Sequence, residues 1–174
     1  MKTNTRLRFA ILPVLLGLPL AQLASAADLA GKDERFLKNA AQGGMTEVQL
    51  GELGKSKATK KEVKDFAAMM ATDHGKANEE LKSLAGQKGV ELPGEIEIGQ
   101  KMAKEKLDRL SGAEFDKEFV QQMIKDHKKT IDMFEEASKD AKDSDVRSFA
   151  SKTLPTLRGH LQQAEGLKGA VGAE

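Results

Sequence analysis

Four long stretches of this chain place an apolar residue every three or four positions, a spacing that demands helices burying one face each. In one stretch the stripe runs Val63, Phe66, Met70, Ala77, Leu81 and Leu84, and the single seven-residue gap holds His74. In another it runs Phe119, Met123, Thr130, Phe134 and Ala137, with His127 in the gap. The last runs Val146, Phe149, Thr153, Leu157, Ala164 and Leu167, with His160 in the gap. These are the only three histidines in 174 residues. If roughly three in seven helix positions face inward, three independent histidines all do so only about 8% of the time. The first stretch carries Phe36, Ala40, Gly43, Leu50 and Gly54, and its gap holds Glu47.

Capping signals set the boundaries. The first helix is expected from about Asp33, as N-cap, to Ser56. Thr59-Lys60-Lys61-Glu62 reads as a capping box for a second helix that stops at Gly89. Pro93-Gly94 marks a turn, and a short helix follows over about Ile96 to Leu110. Ser111-Gly112-Ala113-Glu114 reads as a second box, opening a helix to about Ala141. Asp143 or Ser144 caps the last helix, which runs to about Leu167, with a kink or local break at Pro155 and a frayed tail from Gly169. Four helices of roughly 24 to 29 residues, each about 36 Å or more, joined mostly by short loops, make an all-α four-helix bundle with one extra short helix. The short helix crosses the end of the bundle or lies against its side. An internal echo supports this: Phe66, Met70, Asp73, His74, Lys76 and Leu81 recur 53 residues later as Phe119, Met123, Asp126, His127, Lys129 and Phe134. Weaker, Phe36 to Glu47 and Phe149 to His160 both span eleven residues.

The first 26 residues stand apart from this pattern. Lys2, Arg6 and Arg8 precede an apolar run from Phe9 to Leu23, and Ala24-Ser25-Ala26 supplies a cleavage site. This is the pattern of a secretory signal peptide, leaving a mature chain of about 148 residues from Ala27 in the periplasm or outside the cell. The mature chain has no apolar segment of membrane-spanning length. A near-neutral net charge of +1 argues against a basic nucleic-acid binder, and removing the three leader charges takes it to −2, with no charge-driven attraction to anionic lipid. The absence of cysteine excludes disulfides, thiolate metal sites and thiol catalysis.

His74 and His127 fall near the midpoints of their helices, and Glu47 and His160 slightly beyond. In an antiparallel bundle, midpoints meet in one layer. A carboxylate and three imidazoles buried there without partners would cost several kcal/mol. A hydrogen-bonded layer with buried water relieves that cost, and so does a transition metal, for which imidazole nitrogen and carboxylate oxygen are natural ligands. Asp73 and Asp126 sit about 100° round their helices from the adjacent histidines and could orient a ring on a neighbouring helix. Met70 and Met123, one turn before His74 and His127, would suit Cu(I) but read first as core filling. Gly43-Gly44 would let the first helix approach its neighbours closely.

Several stretches carry a family resemblance. They are residues 36–47 (Phe36 to Glu47), 70–74 (Met70 to His74), 112–116, 125–129 (around His127) and 154–161 (around His160). In order and content they resemble the DUF4142 family, bacterial envelope proteins of unknown function, often labelled outer-membrane proteins and placed among ferritin-like bundles. The resemblance implies a ferritin-like fold over essentially the whole mature chain. It brings no established activity. Di-iron ferritin-like sites use Glu-x-x-His motifs, whereas here Ala71, Ile124 and Leu157 stand three positions before the histidines. That departure points to a single His-rich site.

The expectation is therefore a periplasmic bundle holding one metal ion at Glu47, His74, His127 and His160, for storage, buffering or sensing. Tetrahedral Zn(II) suits that donor set first, with Cu or Fe as alternatives. Should Glu47 stay off the metal, an open position could hold water and support hydrolytic or redox chemistry, including the handling of oxygen or peroxide. A competing reading is a non-catalytic envelope stress or interaction module whose metal-free polar layer only fixes register. No nucleophilic triad and no phosphate loop stand out.

Overall fold

The computed structural model describes residues 29–173, so the expected signal peptide and its cleavage site lie outside the described residues. Within them are five helices and no strand: α1 (Gly31–Lys57), α2 (Lys61–Gln87), α3 (Ile98–Asp108), α4 (Gly112–Asp140) and α5 (Ser144–Val171). None is long and apolar enough to cross a membrane. Helices α1 and α2 form one hairpin and α4 and α5 another. The hairpins meet through α1 against α4 and α2 against α5, which leaves α2/α4 and α1/α5 as diagonal pairs. Helix α3 carries the chain back along the side of the bundle, over α1 and α4. That long return makes α2 parallel to α4 and α1 parallel to α5. Both internal echoes thus fall on parallel, diagonal helices, and Phe66 meets Phe119 edge to face at 6.4 Å between ring centres.

Two buried aspartates tie the hairpins crosswise. Asp116, near the start of α4, accepts hydrogen bonds from the backbone N–H groups of Thr59 (2.9 Å) and Lys60 (3.0 Å) and from the Thr59 hydroxyl (2.5 Å). Asp33, in the first turn of α1, accepts from the backbone N–H groups of Lys142 and Asp143, both at 2.8 Å. Each hairpin thus caps the tight loop of the other. This corrects two expected caps. Helix α1 starts at Gly31, before Asp33, and the box at Thr59 does not close because Asp116 has taken its hydroxyl and the cap falls on Lys60. The box at Ser111 is also absent: Gly112 adopts a left-handed backbone (φ 62°) and the Ser111 side chain makes no cap bond. Asp143 does cap α5, accepting from Asp145 and Val146.

Helix α2 ends as expected at Gly89 (φ 68°), where Val90 N–H reaches the Ala85 carbonyl and Gly89 N–H that of Gly86, the two bonds of a Schellman turn. Helix α5 shows no local break at Pro155 and runs to Val171, which is buried and anchors the expected frayed tail. Gly44 does allow a close approach, since a Cβ there would collide with the Asn78 side chain of α2; Gly43 does not, as a Cβ there meets nothing within 4 Å.

The apolar core is split in two. One cluster holds Phe36, Leu37, Leu81, Phe134, Phe149 and Leu157 at the end where α1 begins. The other holds Leu50, Phe66, Met70, Phe119, Met123 and Ala164 at the opposite end. Both Met70 and Met123 belong to that second cluster, in line with their core-filling role. Between the clusters lie Glu47, His74, His127 and His160, all buried.

Candidate metal centre

His74 on α2, His127 on α4 and His160 on α5 form a near-equilateral triangle, with ring centres 5.5, 5.3 and 5.5 Å apart. One potential ligand atom from each lies within 4.8 Å of the other two. The hydrogen bonds on the outer side of two rings decide which nitrogens face inward. His127 Nδ1–H donates to the Met123 carbonyl at 2.8 Å, which frees Nε2 as a lone-pair nitrogen. His160 Nε2–H donates to Asp73 Oδ2 at 3.2 Å, which frees Nδ1. Those two free nitrogens and His74 Nε2 are buried without any hydrogen-bond partner. Three buried, unpartnered ring nitrogens between three helices, two of them lone pairs fixed by the bond on the other side of the ring, are costly for a metal-free core and favourable for a cation. The residues present therefore fit a first-row transition metal.

Asp73 takes the orienting role expected of it, on the ring of the neighbouring α5. Asp126 does not: it accepts from Gln122 on its own helix at 2.8 Å, and among the described residues it makes no bond to a histidine. Glu47 lies in the layer but outside the three-histidine group, its Oε1 standing 3.9 Å from His127 Nδ1, the nitrogen already committed to Met123. Its Oε2 is buried without a partner. The stripe pattern fixes depth and face, but not the few ångströms of azimuth that put α1 on the far side of the His127 ring. Sequence reasoning passed over Gln42, whose buried Oε1 is likewise unpartnered; a polar residue one position off the stripe carried no signal.

Burial governs the charge of the layer. It pushes His74 well below the ordinary imidazole value, helped by His127 and His160, and takes His127 to about 4 against the upward pull of its bond to Met123. His160 is lowered by burial and partly restored by Asp73. Burial raises the Glu47 carboxyl well above its usual range, and Asp126 adds to that. For His127 the unfolded chain takes up a proton between about pH 6.5 and 4 that the folded chain refuses. Its stabilising contribution, on the order of 3 kcal/mol, is complete above the unfolded value and lost as pH falls towards the folded one. Glu47 acts in the opposite sense, its contribution being present at low pH and lost as pH rises through the raised folded value. The metal-free Glu47→Gln protein, freed of that opposing contribution, is expected to lose melting temperature steadily between pH 7 and 4.5. A flat profile in thermal melts would mean the imidazoles are not buried in neutral form.

The comparisons with known proteins agree with this architecture. A DUF305 fragment from Deinococcus radiodurans superposes with a TM-score of 0.74 at 16% identity, over 83% of this chain and 99% of the other. CopM in its Cu(II)-bound form superposes with a TM-score of 0.68 at 18% identity, over 79% of this chain and 96% of the other. CopM in its Cu(I)-bound form gives 0.67 at 17% identity, over the same shares. At these identities the likeness is one of fold. No curated protein matches the sequence. The family model described as a domain of unknown function, DUF4142, matches residues 18–167, so the chain belongs to the DUF4142 family.

Proposed function

We propose that this chain is an envelope protein, exported by cleavage after Ala26, that binds one transition-metal ion through His74 Nε2, His127 Nε2 and His160 Nδ1. The observation that carries the reading is the convergence of three buried, unpartnered ring nitrogens, two of them set by hydrogen bonds on the opposite side of the ring. The role is storage, buffering or sensing. Glu47 stays off the metal, which makes the site three-coordinate. Copper stands ahead of zinc on three grounds. Imidazole donors hold Cu(II) more strongly than Zn(II). A site with no anionic ligand, lying between two apolar clusters, favours the single charge of Cu(I) over a dication. CopM, whose fold is alike, is found in Cu(II)-, Cu(I)- and Ag-bound forms, which is the third.

The test is metal titration of protein purified without a histidine tag, offering Cu(I), Cu(II), Zn(II) and Fe(II) in turn and measuring bound metal after desalting. One copper per chain, retained more strongly than zinc, is the expected result. Protein that retains none of the four metals would instead be a bundle whose polar layer only fixes register.

A further inference from the structure

Two adjacent glycines in the middle of a long helix call for an explanation, because each costs about 1 kcal/mol relative to alanine. Gly44 has one in the side chain of Asn78. Gly43 does not: its backbone is not left-handed and a Cβ there would meet open space. Gly43 lines two neighbouring cavities at once. The outer one, about 470 Å³, is a groove between α1, α3 and α4, roofed by Glu97, Gln100 and Ala103 around α3. The inner one, about 30 Å³, lies among the four long helices with His74 in its wall. Ala40, Gly43, Glu47 and Thr130 line both. Glu47, buried with an unpartnered Oε2, stands at the passage, and Gln42 with its own buried, unpartnered Oε1 lines the groove just outside.

We infer that this groove is the route by which metal reaches the three-histidine site, and that Gly43 keeps it open by lacking a side chain. The inference rests on the metal reading above. An ion shedding its solution ligands meets oxygen donors in succession: Asp126 and Gln122 in the outer groove, then Gln42, then Glu47 beside His127. Lys125 and Lys129 also line the groove, so its attraction for a cation comes from these oxygens at short range and not from a net negative funnel.

Gly43→Leu places a side chain between the two cavities, where a Cβ meets nothing within 4 Å, and removing a mid-helix glycine is expected to raise the metal-free melting temperature. Cu(I) is supplied anaerobically as its coloured bicinchoninate complex, whose bleaching reports both the rate and the end point of transfer. Uptake and release are both expected to slow by about tenfold or more in Gly43→Leu, with Gly43→Ala between it and wild type and the end point unchanged. Ala103→Leu, which narrows the outer groove from α3, is the second plug should Gly43→Leu fold poorly, and should slow transfer in the same way. Wild-type rates in a folded plugged variant would overturn the route while leaving the site intact. Slower uptake with a proportionally weaker end point would overturn it too, as distortion of the site. Wild-type protein that bleaches nothing and retains none of the four metals after desalting would overturn the metal reading itself, and the route with it.

Discussion

His127→Ala is expected to abolish the metal-dependent part of thermal stability. A ligand present at a thousandfold over its dissociation constant stabilises the folded state by about 4 kcal/mol. For a chain of this size that corresponds to roughly 8 to 16 °C in melting temperature. Wild-type protein with one equivalent of Cu(I) should show a shift of that order, and His127→Ala almost none, because two imidazoles cannot close the site. Asp73→Asn gives the finer reading. It leaves all three ligands in place but weakens the partner that aims His160 Nδ1 inward, so affinity should fall by about 10- to 100-fold while binding survives. Equal metal-induced shifts in wild type and His127→Ala would place the ion elsewhere.

The second large effect is structural. Asp116→Ala leaves two part-buried backbone N–H groups and the Thr59 hydroxyl without their acceptor at the α1–α2 loop. Hydrogen bonds to a charged acceptor contribute about 1.5–3 kcal/mol, and water reaches part of this site, so a loss of about 2–3 kcal/mol is expected. Asp33→Ala, which orphans two donors at the α4–α5 loop, should cost somewhat less. Denaturant melts of both variants against wild type measure the difference. A change below about 1 kcal/mol in Asp116→Ala would mean that water replaces the carboxylate there.

The helical stripes make the bundle and the polar layer legible in the sequence, because period 3.6 and helix length together locate both the buried face and the depth of each residue. The same logic was blind to competition between elements. Thr59 and Ser111 carry the local pattern of a capping box, yet a carboxylate from another helix claimed the first and a left-handed glycine prevented the second. A sequence repeat did mark the aspartates: Asp33-x-x-Phe36 and Asp116-x-x-Phe119 are the same motif at the start of each hairpin. Its meaning depended on which loop lay opposite, and only the topology supplies that. Gly43 was read as a contact residue for a similar reason, since a glycine's spacing does not say whether its missing side chain makes room for a neighbour or for a passage.

The histidine layer separates the two halves of the apolar core, and its three imidazoles come from α2, α4 and α5 but not from α1. An ion held there is a rivet through three struts, while the fourth, tied to the α4–α5 loop through Asp33, supplies no ligand to the three-histidine group. Amide hydrogen exchange should therefore slow on metal binding in the middle turns of α2, α4 and α5, while the turn of α1 around Gly43 and Glu47 keeps much of its metal-free rate. The segment that lines the passage is thus the one long helix free to breathe while the cargo stays fixed.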